Sequence, residues 1–141
     1  MKRVLFLCVG NSCRSQMAEG FLRAAASDRF EVNSAGAVAS GLSTKAVKVM
    51  SELGIDISSQ KSKRVEEFTG REFDYVITVC DSSENNPCPV FLGQAGKQLH
   101  WPFDDPAYAT GSEEEILEVF RRVRDQIKAK IELFVKEETT I

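Results

Sequence analysis

Histidine is nearly missing from this chain: His100 is its one imidazole in 141 residues. Beyond it, the soft metal ligands are four cysteines, Cys8, Cys13, Cys80 and Cys88. Their spacings, Cys-x4-Cys and Cys-x7-Cys, are not those of zinc sites, so no metal is expected. Basic charge is not in excess either. The net charge of −3 argues against a nucleic-acid surface. No run approaches the ~18 apolar residues of a membrane span, so no membrane partner is expected. Met1-Lys2-Arg3 leads into a short apolar run with no matched small-residue cleavage site, which argues against a secretory leader. The default is therefore a cytoplasmic protein, where thiols are more often catalytic or redox-active than structural staples. There is no internal repeat and no linker long enough to divide the chain, so residues 1–141 read as one domain. Nothing in the pattern requires more than a monomer.

What is present is an alternation of strands and helices. Residues 2–8 read as a buried strand, followed by a helix over 14–27 with Met17, Phe21, Ala24 and Ala25 at helical spacing. Phe30 to Ser34 reads as a second strand, closed by Ser34-Ala35-Gly36. Ser43 is placed to cap a helix that runs through Leu53, with Ala46, Val47, Met50 and Leu53 as its apolar face and Gly54 as its stop. Residues 73–80 form a third strand, 81–96 a loop rich in Asn, Pro and Gly, and 98–101 a fourth short strand. Ser112-Glu113-Glu114-Glu115 is a capping box. It opens a long helix with Ile116, Phe120, Val123, Ile127, Ile131 and Phe134 inward and its charges in solvent, frayed after Lys136. The prediction is a single-domain α/β fold: a four-stranded parallel sheet flanked by helices, doubly wound and flavodoxin-like. Ligands of such sheets sit at the carboxyl ends of the strands. Cys8, Ser34-Ala35-Gly36, Cys80 and Phe103-Asp104-Asp105-Pro106 all fall at that one edge.

The sharpest local signal is Cys8-Val9-Gly10-Asn11-Ser12-Cys13-Arg14-Ser15, at the first strand-to-helix junction. A small loop feeding a helix offers several backbone N–H groups to one point, where the helix dipole adds positive character. Gly10 allows a tight turn, and Asn11 tolerates a left-handed backbone and can tie the loop with its amide. Arg14 supplies planar, paired donors for an oxyanion. Cys8 supplies a nucleophile whose thiolate such a setting favours, and the Ser15 hydroxyl can bond its sulfur. Val9, Gly10, Asn11, Ser12, Cys13 and Ser15 are thus expected to bind a tetrahedral oxyanion. No Gly-Lys-Ser/Thr follows, so this is not a nucleotide P-loop.

That string resembles the signature of the low-molecular-weight protein tyrosine phosphatases. The resemblance extends to Ser34-Ala35-Gly36 and Asp105-Pro106. It implies that Asp105, rather than Asp104, is the general acid. Over nearly the whole chain the sequence is similar to the thioredoxin-coupled arsenate reductases of that superfamily. Matching strings include Gln16-Met17-Ala18-Glu19-Gly20 after the loop and Gly54-Ile55-Asp56-Ile57-Ser58. This likeness implies a substrate, arsenate or phosphate, and a relay of three sulfurs. Cys8 attacks arsenate, Cys80 attacks Cys8, Cys88 attacks Cys80, and thioredoxin, the expected external reductant, reduces the last disulfide. Such a relay requires residues 81–96 to rearrange. The alternative is a phosphatase that hydrolyses phosphomonoesters through a Cys8 phosphoenzyme, an activity a reductase could also retain. No tightly bound cofactor is implied. A potassium site is doubtful, because Lys63 stands where some relatives place an acidic ligand beside Asn11, Glu19 and Ser34. Cys13 is expected to be structural. Ala107, where the phosphatases carry an aromatic residue, argues against an aryl substrate.

Overall fold

A computed structural model describes residues 1–80, 89 and 91–139. Four parallel strands, β1 (Lys2–Cys8), β2 (Phe30–Gly36), β3 (Glu72–Thr78) and β4 (Gln94–His100), form one sheet in the order β2-β1-β3-β4. Central β1 is covered on both sides, which explains its unbroken apolar run. Val4, Phe6 and Cys8 belong to the larger core, with helices α1 (Arg14–Ala26), α2 (Thr44–Ser51) and α3 (Glu113–Thr139). Leu5 and Leu7 belong to a smaller one with Val65 and Phe68 of a 3-10 turn and with Phe91. The crossover from β2 to β3 thus carries chain to the second face, as a doubly wound sheet requires. Among the described residues no helix is long and apolar enough to cross a membrane.

Several boundaries differ from the sequence reading. β3 ends at Thr78, so Cys80 lies two residues beyond the strand. β4 begins at Gln94 and takes in Gly96, which composition alone had assigned to the loop. Here the glycine fits because a Cβ would meet the Asp74 carbonyl oxygen at 2.8 Å. Residues 81–88 and 90, and with them the predicted rearranging loop, lie outside the described residues. On α1 the buried apolar residues are Met17, Ala18, Phe21, Leu22 and Ala26, while Ala24 and Ala25 face solvent. On α2 Val49 is buried and Leu53 is exposed, because the helix ends at Ser51 before Leu53 can complete the stripe. The capping box forms: Ser112 Oγ accepts from Glu115 N at 3.2 Å, and Glu115 Oε1 accepts from Ser112 N at 3.1 Å. α3 continues to Thr139 rather than fraying at Lys136, with Leu117 buried and Ile116 at the margin of the core. Its charges are not all solvated. Arg124 is buried and donates to Val49 O and Glu52 Oε1, at 2.9 and 2.8 Å, tying down the end of α2.

Register brings the chemistry together. Cys8 pairs with Gly36, Leu7 with Thr78, and Thr78 with His100. All four strands therefore end along one edge, where the 9–13 loop, the 37–43 segment and the 101–106 segment begin.

Candidate active site

The loop after β1 wraps around Cys8 Sγ. Asn11 N donates to that sulfur at 3.2 Å, and Ser15 Oγ lies 2.8 Å from it. Asn11 Nδ2 donates to Ser15 Oγ at 2.8 Å, which leaves the hydroxyl proton free to point at the sulfur. Asn11 has φ of 48°, the one non-glycine residue with positive φ among those described. Short amide side chains accept that conformation at the lowest cost after glycine.

Every carbonyl from Val9 to Ser12 is held from outside. Val9 O accepts from Val38 N at 3.1 Å and Gly10 O from Ser40 N at 2.9 Å. Asn11 O accepts from Gln16 Nε2 at 3.0 Å and Ser12 O from Ser43 N at 3.1 Å. In a planar trans peptide the N–H points opposite to the C=O. Turning these four carbonyls outward therefore turns the amides of Gly10, Asn11, Ser12 and Cys13 inward, as the Asn11–Cys8 bond shows directly. Gly36 permits the packing behind the loop: a Cβ there would meet Asn11 N, Val38 O and Val9 O at 2.7–2.8 Å.

α1 starts against this loop with no side-chain cap at Cys13 and no acidic residue in its first turn. Its first residue is Arg14, whose charge the helix dipole disfavours unless an anion is to arrive there. The Arg14 guanidinium is 2% exposed and reaches across to the 101–106 segment. It donates to Phe103 O at 3.1 Å and to Asp105 Oδ2 at 3.2 Å. Asp105 Oδ1 accepts from Ala107 N at 3.0 Å, capping a 3-10 turn over Pro106–Tyr108. Turn and site are thus one structure. Asp104 points elsewhere, to Arg122 at 3.7 Å. A cavity of about 320 Å³ opens between Cys8, Ser12, Cys13, Arg14 and Asp105, with Val38 and Tyr108 at its rim. Tyr108, beside Ala107, is 70% exposed and borders the opening.

Beneath the loop, Asn11 Nδ2 donates to Ser34 Oγ at 2.9 Å, and Ser34 Oγ donates to buried Glu19 Oε1 at 2.6 Å. The Glu19 carboxylate also meets Arg23 at 2.8 Å and the Lys63 ammonium at 4.0 Å. Asn11 Oδ1 accepts from Lys63 N at 2.8 Å. Buried carboxylates survive only with such partners.

The thiols have different settings. Cys8 and Cys13 are free. Burial pushes the Cys13 thiol up to about 11 from its ordinary 9.0, against a smaller lowering by Ser43. Cys80 is buried and disulfide-bonded. Its Sγ lies 3.9 Å from Leu7 O, one residue before Cys8. Cys88 lies outside the described residues. The sequence reading did not place Val38 or Ser40 at the site, and it gave Ser43 only as the cap of α2, a bond that forms (Ser43 Oγ accepts from Ala46 N at 3.2 Å); all three orient the loop. They act mainly through backbone N–H groups, so residue identity carries no mark of the role. Gln16 sits among the buried polar residues Arg14, Ser15 and Glu19 at the start of α1, and in the sequence reading it figures only as part of a matching string.

The model of the low molecular weight phosphotyrosine protein phosphatase family matches residues 3–139. An arsenate reductase of Shouchella clausii (strain KSM-K16) is 49% identical over 135 residues, 96% of each chain. A solved arsenate reductase in the phosphate binding state superposes with a TM-score of 0.81 at 38% identity, over 97% of this chain and 98% of that one. A low molecular weight protein tyrosine phosphatase from T. tengcongensis superposes with a TM-score of 0.73 at 29% identity, over 97% and 99%. With Cys8, Arg14 and Asp105 brought together at one sheet edge, the chain belongs to the low molecular weight phosphotyrosine protein phosphatase family, on the branch occupied by the arsenate reductases.

Proposed function

We infer that the protein reduces arsenate to arsenite and that thioredoxin restores it. The observation that carries the reading is a disulfide-bonded Cys80 packed against the residue preceding a free Cys8. A phosphoester hydrolase needs no second redox thiol at that position.

The chemistry follows from the site. Arsenate sits on the inward amides with its charge against Arg14. The Cys8 thiolate attacks arsenic, and one oxygen departs as water with a proton from Asp105, leaving a Cys8 sulfur–arsenic bond. Cys80, its disulfide first reduced to the thiol by thioredoxin, then attacks the Cys8 sulfur as a thiolate. The sulfur–arsenic bond breaks with its electron pair going to arsenic, which leaves as arsenite, and Cys8–Cys80 forms. Cys88 attacks Cys80, releasing the Cys8 thiolate and forming Cys80–Cys88. Two thiols have lost two electrons and arsenic has gained them. A thioredoxin dithiol supplies the pair for the next cycle by exchange. This redox cycle fits a monomer in the cytoplasm, where thiols are kept reduced.

The test is arsenate-dependent NADPH consumption with thioredoxin and thioredoxin reductase. Wild type should turn over continuously, and Cys88→Ser should release about one equivalent of arsenite and then stop, without sustained NADPH consumption. Sustained turnover by the variant would refute the relay. Phosphatase activity is the second reading, favoured by the complete Cys8, Arg14 and Asp105 set, and Cys88→Ser should leave it intact.

The reading extends to the position beside Glu19. The Lys63 ammonium supplies there the positive charge a monovalent cation would bring. Potassium should therefore leave kcat/KM unchanged, and a several-fold rise would count against it.

A further inference from the structure

We propose that Gln16 is a positioning residue of the oxyanion site: its amide locks the peptide between Asn11 and Ser12 with the carbonyl outward and the Ser12 N–H inward. The proposal rests on the Cys8 loop being an oxyanion site.

Gln16 is fully buried at the start of α1. Its Nε2 group donates to both oxygens of Asn11, the backbone O at 3.0 Å and Oδ1 at 3.1 Å, and to Lys61 O at 3.0 Å. Val9 O is held by a backbone amide of the 37–43 segment, and Gly10 O by another such amide together with the Ser62 hydroxyl at 3.3 Å, whereas the carbonyl of the left-handed residue is held by the Gln16 side chain with no backbone amide on it. That peptide is the one most open to reversal, because residues in left-handed conformations sit in a shallow, narrow well. Reversal would aim the Asn11 carbonyl at the anion and withdraw the Ser12 N–H from it.

Gln16 is itself held in orientation. Gln60 Nε2 donates to Gln16 Oε1 at 2.9 Å and to Gln16 O at 3.0 Å, so the Gln16 amide cannot turn over without losing a bond. Arg23 donates to Gln60 Oε1 at 3.1 Å and pairs with Glu19, which accepts from Ser34, which accepts from Asn11. Asn11, Gln16, Gln60, Arg23, Glu19 and Ser34 thus close a ring of hydrogen bonds under the loop. A closed ring allows one set of donor directions, and that set points the Gln16 NH₂ at Asn11.

The probe is inorganic phosphate, read by its protection of Cys8 from iodoacetamide in the full chain, with thermal unfolding measured alongside. Gln16→Met keeps length and bulk but has no N–H. It should weaken phosphate about tenfold. Gln16→Glu keeps the acceptor for Gln60 but loses the donor when ionised. Protonated, it regains an O–H that can face the Asn11 backbone carbonyl. Its deficit relative to wild type should therefore shrink between about pH 8 and about pH 5.5. Charged Glu19 and Arg23 on the same helix and Lys63 on the crossover join this network in wild type and variant alike, so the comparison is made at each pH. Protection by folded Gln16→Met within twofold of wild type would overturn the proposal. If that variant does not fold, a Gln16→Glu deficit unchanged with pH overturns it instead. Failure of phosphate to protect wild type would overturn the oxyanion reading, and this proposal with it.

Discussion

Replacing Asn11 by alanine tests whether one buried amide holds the site together. Its side chain makes four hydrogen bonds: to Ser15 Oγ, to Ser34 Oγ, from Gln16 Nε2 and from Lys63 N. The two serines and Gln16 keep other partners, so each of those losses costs on the order of 0.5–1 kcal/mol. Lys63 N–H loses its acceptor, for about 1–2 kcal/mol. Alanine must also hold φ at 48°, which adds about 1 kcal/mol. The sum is about 3.5–6 kcal/mol, a large part of the 5–15 kcal/mol typical of a whole domain. At about 3 °C per kcal/mol for a chain of this size, the melting temperature should fall by about 10–18 °C. Calorimetry with and without phosphate provides the assay. Asn11→Gly separates the terms, because it relieves the backbone but not the hydrogen bonds, and should recover only about 1 kcal/mol of the loss. A drop of under about 3 °C for Asn11→Ala, or full recovery in Asn11→Gly, would mean that the Asn11 amide does not hold the site together.

Three further outcomes follow from the same geometry. Asp105→Asn keeps an oxygen for Arg14 but cannot deliver a proton, so pre-steady-state arsenate chemistry should slow by about 10²–10⁴ with phosphate affinity near wild type; an unchanged rate would remove Asp105 as the acid. Gly36→Ala drives a Cβ into three backbone atoms of the loop and its support, so phosphate protection of Cys8 should disappear even in protein that remains folded by circular dichroism. Cys13 gives a pH signature. Because its folded value is raised from 9.0 to about 11, the unfolded chain releases the proton first. Its contribution is full below about pH 9 and is lost as pH rises to about 11, by about 2–3 kcal/mol. Cys13→Ala should flatten the denaturation curve across that window, and an unchanged slope would count against it.

The chain alone determined the chemistry-bearing residues. Cys8, Asn11, Arg14 and Ser15 lie within one short loop, so their roles depend on local spacing, and local spacing is written in order. The parallel sheet and its ligand edge were legible for a similar reason: apolar runs broken by small loops leave few topologies. Helix faces were read less well. Ala24, Ala25 and Leu53 were placed inward, while Leu22 and Val49 do the packing, because a short amphipathic stripe can be rotated by one residue without changing its count. The aim of the loop was set by long-range packing. The donors to its carbonyls come from Val38, Ser40, Ser43 and Gln16, three of them through backbone N–H groups that every residue but proline possesses. Arg14 reaching Asp105 across 91 positions and the ring closed by Gln60 and Arg23 likewise depend on which segments the sheet brings side by side. Sequence marks the atoms proposed to react. Packing sets which way the peptides between them face, because a peptide's direction is chosen by its distant partners and not by its own side chain.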